Sequence, residues 1–168
     1  EVLRNWAIVC AANFAGAVTV AALVFMSGHT EMNGGAIGKT YLNIALVKST
    51  MPFWTAFFRG VMCNLLVCMA VWMAFAGRSV IDKFIAIVFP ISAFVAAGFE
   101  HSIANMFIIP LAMMLKASGP PLPAAYDAIN AMGLIGNLVP VIAGNIIGGS
   151  VLVALVYHLI YRRPATKS

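Results

Sequence analysis

Residues 5–27 read Asn-Trp-Ala-Ile-Val-Cys-Ala-Ala-Asn-Phe-Ala-Gly-Ala-Val-Thr-Val-Ala-Ala-Leu-Val-Phe-Met-Ser, with no charged side chain among them. A helix needs about 20 apolar residues to cross roughly 30 Å of hydrocarbon. In lipid the backbone must satisfy its own hydrogen bonds, so a run like this has few folds open to it, and a spanning helix is the simplest. Comparable stretches recur at 53–77, 81–116 and 133–161. Only 9% of the chain is charged and 62% is hydrophobic, whereas a soluble domain carries about 25% charged residues. The sensible solvent is lipid, and the predicted fold class is all-α: a polytopic membrane protein forming a single transmembrane domain.

The first, second and last of these runs read as continuous spans. In the 53–77 run, Trp54 and Trp72 stand about 27 Å apart on a helix, which suits aromatic residues at opposite interfaces. The last run ends in Tyr157, Tyr161, Arg162 and Arg163. The remaining run is too long. Lys83 and Lys116 are 33 residue steps apart, so a straight helix between them would measure about 50 Å. Its middle reads Gly98-Phe-Glu-His-Ser-Ile-Ala-Asn105, which puts a carboxylate and an imidazole near the membrane midplane. Two half-helices, about 81–98 and 104–116, joined by an irregular loop account for this. Broken backbone at such depth survives only where it is buried in protein or lines a cavity, and discontinuous helices mark binding sites in transporters. The alternative is one long tilted helix kinked at Pro90, with Glu100 and His101 as a structural pair.

The connecting segments fit. Residues 28–52 are polar enough for an aqueous loop, with a short amphipathic helix at about 38–49. Ser118-Gly-Pro-Pro-Leu-Pro123 cannot continue a helix. The short link at 78–82 makes its flanking spans antiparallel neighbours. The formal charge of +5 does not point to nucleic acid, because the basic residues cluster at segment ends. Arg4, Arg78, Lys83, Arg162, Arg163 and Lys167 would share one side and Lys39, Lys48 and Lys116 the other. That bias predicts an inner-membrane protein with both ends of the chain cytoplasmic. Cys10, Cys63 and Cys68 lie inside apolar runs and read as small buried hydrophobes.

Asn13, Gly16, Val20, Ala22 and Leu23 are matched by Asn145, Gly148, Leu152, Ala154 and Leu155 at a constant offset of 132 residues. Two related halves are common in transporters. The segment at 5–27 would then close a first half, and 53–161 would be a whole second half with three spans. The chain opens on Glu1, not Met, and shows no secretory leader. The expectation is a fragment of a six-helix inverted-repeat fold; a four-span protein is the rival.

Several polar residues in the apolar runs are candidates for function. His101 leads, because an ionisable group at the membrane centre is costly and reads as functional by default. An imidazole titrates near neutrality, at about 6.5 in its ordinary state; burial and the adjacent Glu100 act on that value in opposite directions. The alternative is a neutral histidine capping a half-helix. Glu100 either contacts substrate or holds the loop through backbone N–H groups, and Gly98, Ser102 and Asn105 complete that loop. Asn64 and Asn145 are either interhelical glue or N–H donors to a permeating anion. Gly144 and Gly148, spaced four apart with Gly149 following, let another backbone approach closely. Lys48, just outside the span that starts at 53, is either an ordinary interfacial lysine or a cation that concentrates anions at a pore mouth. Arg59 lies deeper and is expected to snorkel outward. Phe94 precedes His101 by about two helical turns, so it lies on nearly the same face, as core or as a pore constriction. There is no Ser–His–Asp set, HExxH or CxxC. His29, His101 and His158 fall at three different depths, so neither an enzyme, a metal site nor a cofactor is expected.

Phe99-Glu-His-Ser-Ile-Ala-Asn-Met-Phe107, Gly144-Asn-Ile-Ile-Gly-Gly149 and Cys63-Asn-Leu-Leu-Val-Cys-Met-Ala-Val-Trp72 together resemble the formate/nitrite transporter family. The resemblance covers about 45–163, and the run at 5–27 is similar to the third helix of that family. It implies an aquaporin-like helical bundle with interrupted second and fifth helices, assembled as a homopentamer with one pore per protomer. His101 would be the central histidine of the fifth-helix loop and Phe94 an aromatic at a constriction. Asn64 and Asn145 would be pore-region asparagines, and Lys48 the vestibule lysine. The first two helices, whose loop carries a threonine thought to partner the histidine, would lie outside the chain. The function implied is conduction of a small monovalent anion, formate first and nitrite or hydrosulfide as alternatives. A rival class is a non-transporting membrane subunit that scaffolds a redox enzyme; it would need no continuous pore and would tolerate Ala at His101.

Overall fold

A computed structural model describes residues 1–162. The secondary structure among them is helical. The helices are α1 (Val2–Met26), α2 (Ala36–Ser49), α3 (Phe53–Ala76), α4 (Val80–Ala96), α5 (Ser102–Ser118) and α6 (Ala131–Ile146). α6 passes without a break into a wider π-helical stretch, Ile147–Leu155, which returns to α geometry as α7 (Val156–Tyr161). Single 3₁₀ turns occupy His29–Glu31 and Ala124–Ala128. By length and composition, Val2–Met26, Phe53–Ala76 and Ala131–Tyr161 are long and apolar enough to cross a membrane, which makes this a multi-pass membrane protein. Arg163 and Lys167, counted above in the orientation argument, lie outside the described residues.

The chain forms two compact units, each drawn from two separate stretches of sequence. The first holds Glu1–Phe53 and Ser102–Val139. In it α1 and α2 both pack on α5. Ala21, Ala45, Ile109, Leu111 and Ala112 are fully buried there. In the segment 28–52 the short helix expected at about 38–49 forms, and it packs on α5 rather than standing free in an aqueous loop. α2 runs for 14 residues from Ala36, and Gly38 and Ala45 are buried. The missing side chain at Gly38 lets α2 settle on the Thr30 carbonyl; a Cβ there would come within 2.9 Å of that oxygen. Lys116, near the end of α5, pairs with Asp127 at 3.1 Å and donates to the Tyr126 carbonyl. The Tyr126 hydroxyl reaches Asn43 of α2 at 2.6 Å.

The second unit holds Trp54–His101 and the described residues from Pro140 onward. Its core is the glycine face of α6 pressed on α3. A Cβ on Gly144 would collide with the Phe57 carbonyl, and one on Gly148 with the Val61 carbonyl. From the α3 side, a Cβ on Gly60 would come within 2.9 Å of the Val141 carbonyl. Small residues are what allow two backbones this close. Trp72 stacks on Tyr157 with ring centroids 4.1 Å apart, and Tyr157 on Tyr161. Cys63 is fully buried in α3, while Cys10 and Cys68 are half-buried.

The helical course from Val80 to Ser118 is interrupted, and the break does not fall at a proline. Pro90 and Pro110 both sit inside continuous helix. Ser79 and Asp82 start α4 as a capping box: the Ser79 hydroxyl accepts from the Asp82 N–H at 3.0 Å, and the Asp82 carboxylate accepts from the Ser79 N–H at 2.9 Å. This reciprocal pair satisfies two N–H groups that the first turn leaves open. Gly98 ends α4. It lies in the left-handed region at φ +67, its N–H donates to the Val95 carbonyl, and the Phe99 N–H reaches back to Phe94. That bond pattern is a Schellman motif, in which glycine takes the left-handed position at little steric cost. α5 begins again at Ser102, so the helical halves are 80–96 and 102–118, 17 residues each.

Candidate functional site

In the second unit the interrupted loop is stitched to α3 and α6 through backbone atoms. The Glu100 N–H donates to the Arg59 carbonyl at 3.3 Å. The Glu100 carbonyl accepts from the Asn145 side-chain amide at 3.0 Å, and the same NH₂ group donates to the Gly60 carbonyl at 2.9 Å. Both N–H bonds of Asn145 are therefore directed at backbone oxygens. A Cβ on Gly60 would stand 3.3 Å from the Asn145 amide nitrogen, so the missing side chain there is what lets Asn145 reach α3 and the loop together. Asn64, one turn further along α3, donates to the Asn145 carbonyl at 2.5 Å. Two residues after that engaged carbonyl the helix ladder widens into the π-helical stretch. A side chain inserted at a ladder carbonyl is a known cause of such a change in winding.

These clamps fix the position of His101, the last residue before α5. Its ring is half-buried and stacks on Phe94, with centroids 5.9 Å apart and planes 23° from parallel. The two residues share a face of the chain even though the helix has ended between them. The Schellman turn at Gly98 lowers the chain back toward Phe94, whose carbonyl accepts from the Phe99 N–H at 3.0 Å. Glu100 is only 3% exposed, although the loop itself is exposed at Gly98. Arg59, expected to snorkel outward, lies exposed on α3 and reaches toward the Gly98 carbonyl at 3.5 Å, a long contact.

The first unit holds a separate group. Asn105, fully buried on α5, donates through its side-chain amide to the Asn137 side-chain oxygen at 2.7 Å. Asn137 in turn donates to the Lys48 carbonyl at 3.1 Å. Lys48 is half-buried in the last turn of α2. Ser102 opens α5.

Of the nine residues singled out from sequence, the second unit thus holds Phe94, Gly98, Glu100, His101, Asn64 and Asn145, and the first unit Lys48, Ser102 and Asn105. Sequence reasoning passed over Gly60 and Asn137. Asn137 carried a usable signal, an amide inside the apolar run 133–161, which is the same signal that picked out Asn145. Gly60 carried none that separates it from other glycines.

Comparison with known proteins agrees with this architecture. The profile described as formate/nitrite transporter matches residues 1–159, and the chain belongs to that family. It is 40% identical to the formate channel FocA of Escherichia coli strain K12 over 97% of this chain and 60% of that protein. It is 36% identical to the formate channel FocA of Haemophilus influenzae over 100% of this chain and 61% of that protein. The chain thus spans about three fifths of the length of these relatives. Among solved structures it superposes on a pentameric formate channel with formate bound at a TM-score of 0.86 and 37% identity, covering 97% of this chain and 68% of that one.

Proposed function

We propose that the chain is part of a channel for small monovalent anions, with formate as its first substrate, nitrite and hydrosulfide as the alternatives, and no enzymatic activity of its own. It works in the inner membrane as a homopentamer, with both ends of this chain on the cytoplasmic side. The observation that carries the reading is the Schellman-terminated break at Gly98, which leaves an imidazole half-buried against Phe94 in a run otherwise fit to cross a bilayer. A membrane protein has little reason to keep such a group there unless a solute meets it. The names of its relatives support formate as that solute.

The mechanism follows from what hydration costs. The Lys48 cation and the field at the mouth raise the local concentration of anions. At Phe94 the passage is apolar, and a carboxylate must shed water there. Burying the ion costs far more than burying its neutral acid. His101 lowers that cost by giving a proton to a carboxylate oxygen, directly or through water, and regaining one from water afterwards. Asn145 and Asn64 act on the solute indirectly, by holding the loop that carries His101; the two Asn145 bonds to the Gly60 and Glu100 carbonyls support that role. Glu100 works in the same structural sense through its backbone, together with Gly98.

The test is the full-length protein reconstituted in liposomes, with swelling and conductance compared across formate, nitrite and hydrosulfide. Formate is expected to permeate fastest. Faster passage of nitrite or hydrosulfide would reassign the substrate, and no anion flux at all would favour a scaffold role.

A further inference from the structure

Each amide in the pair Asn105–Asn137 has one donating and one accepting end. A backbone carbonyl can only accept. Because Asn137 meets the Lys48 carbonyl at 3.1 Å, its NH₂ end must face α2 and its oxygen must face Asn105. Asn105, 2.7 Å away, must then offer its own NH₂ end to Asn137. The orientation of both amides is thus set by the Lys48 backbone carbonyl, which can only accept. Asn137 is 1% and Asn105 0% exposed, so water does not compete for either bond.

The carbonyl that Asn137 holds belongs to the last turn of α2, where it also accepts from the Met51 N–H at 3.3 Å. Gly133, one turn before Asn137 on the same face of α6, has the Ser49 side chain 2.9 Å from where its Cβ would be. The first turns of α6 are therefore shaped to seat the C-terminal end of α2. That end carries Lys48.

We propose that Asn137 is a positioning residue for Lys48: it ties the end of α2 to Asn105 in the first turn of α5, and so fixes where the Lys48 cation stands for an arriving anion. The inference rests on the anion-channel reading and adds to it a residue that touches no solute. Asn137→Leu keeps the volume and loses both bonds. In the full-length protein, the formate concentration for half-maximal flux should rise several-fold while maximal flux falls less, and the dependence of flux on ionic strength should weaken. Lys48→Met should do the same, and the double variant should be no worse than Lys48→Met alone. If Asn137→Leu does not assemble, Asn137→Ser, too short to bridge both partners, carries the same expectations.

A second readout separates this inference from the function itself. With Cys10, Cys63 and Cys68 replaced by Ala, a Lys48→Cys thiol is labelled with a charged methanethiosulfonate. The Asn137 substitution should change its labelling rate several-fold, whether or not the unaltered protein conducts. Unchanged half-saturation together with an unchanged labelling rate in an assembled variant would overturn the proposal; absence of anion flux in the unaltered protein would instead sink the channel reading alone.

Discussion

Asn145 shows how one side chain can hold an interrupted membrane helix together. Broken backbone leaves carbonyls that no helix ladder satisfies, and in lipid there is no water to take them. Asn145 covers one of these oxygens, on Glu100, and donates as well to the Gly60 carbonyl inside α3. Replacing it with Leu, which is similar in size, should expose that dependence. A buried carbonyl left without a donor, as on Glu100, costs about 1–3 kcal/mol, and the bond to Gly60 is lost with it, so Asn145→Leu should lower the melting temperature of the solubilised full-length protein clearly, and more than Asn64→Leu, which removes one bond. Equal stability of Asn145→Leu and the unaltered protein would mean that the Glu100 oxygen finds another donor. Little of this was legible beforehand. An amide in an apolar run announces a polar partner, but Asn145 meets partners 45 and 85 positions away, and such partners are decided by packing that local sequence does not encode. The same holds for Asn137, 89 positions from Lys48. His101 was legible because a titratable group in the middle of an apolar run stands out by chemistry alone.

At the scale of elements, the break in the helix could be read from arithmetic: a run between lysines too long for the bilayer, with its polar residues in the middle. The place of the break was also legible, because glycine is the residue that most readily ends a helix in the left-handed conformation. Pro90 was the false lead. A proline inside a helix removes one ladder bond, yet α4 continues through it. At Gly98 the cost of a side chain is conformational, since a Cβ there would have no neighbour within 4 Å. Gly98→Asn should accordingly be tolerated, because Asn enters the left-handed region readily, whereas Gly98→Val should destabilise the protein by roughly 1–2 kcal/mol or more. Thermal unfolding of both variants checks the order; a Val variant as stable as the Asn variant would mean that the turn relaxes out of the Schellman geometry. α2 falls where a short helix was expected, at about 38–49; the polar residues around Asn33-Gly34-Gly35 gave no sign that it would pack on α5.

The whole molecule joins two units of mixed sequence origin, and the repeat at an offset of 132 residues looks different in each. Gly148 of the second copy is pressed on the backbone of α3, whereas Gly16 of the first has open space where a Cβ would be. The same spacing of small residues therefore serves a close helix contact in one unit and lines a groove with Ile103, Ala104 and Phe107 in the other. Sequence similarity between the copies predicts the helices and leaves their neighbours undetermined. The all-α membrane fold and the family were legible from composition and three motifs; the partners in the network that holds the histidine loop were not, because the Asn145 and Asn64 amides meet backbone carbonyls, which every residue carries.

The account depends most on His101 exchanging a proton with the passing anion. The direct measurement is formate flux into liposomes holding the full-length protein or its His101→Phe variant, followed between about pH 5 and pH 8, the range in which an imidazole changes charge. Phe keeps a ring against Phe94 and removes the proton. Flux through the unaltered protein should vary over this range, and flux through the variant should be lower at acidic pH and independent of pH. The same flux and the same pH dependence in both would contradict the account.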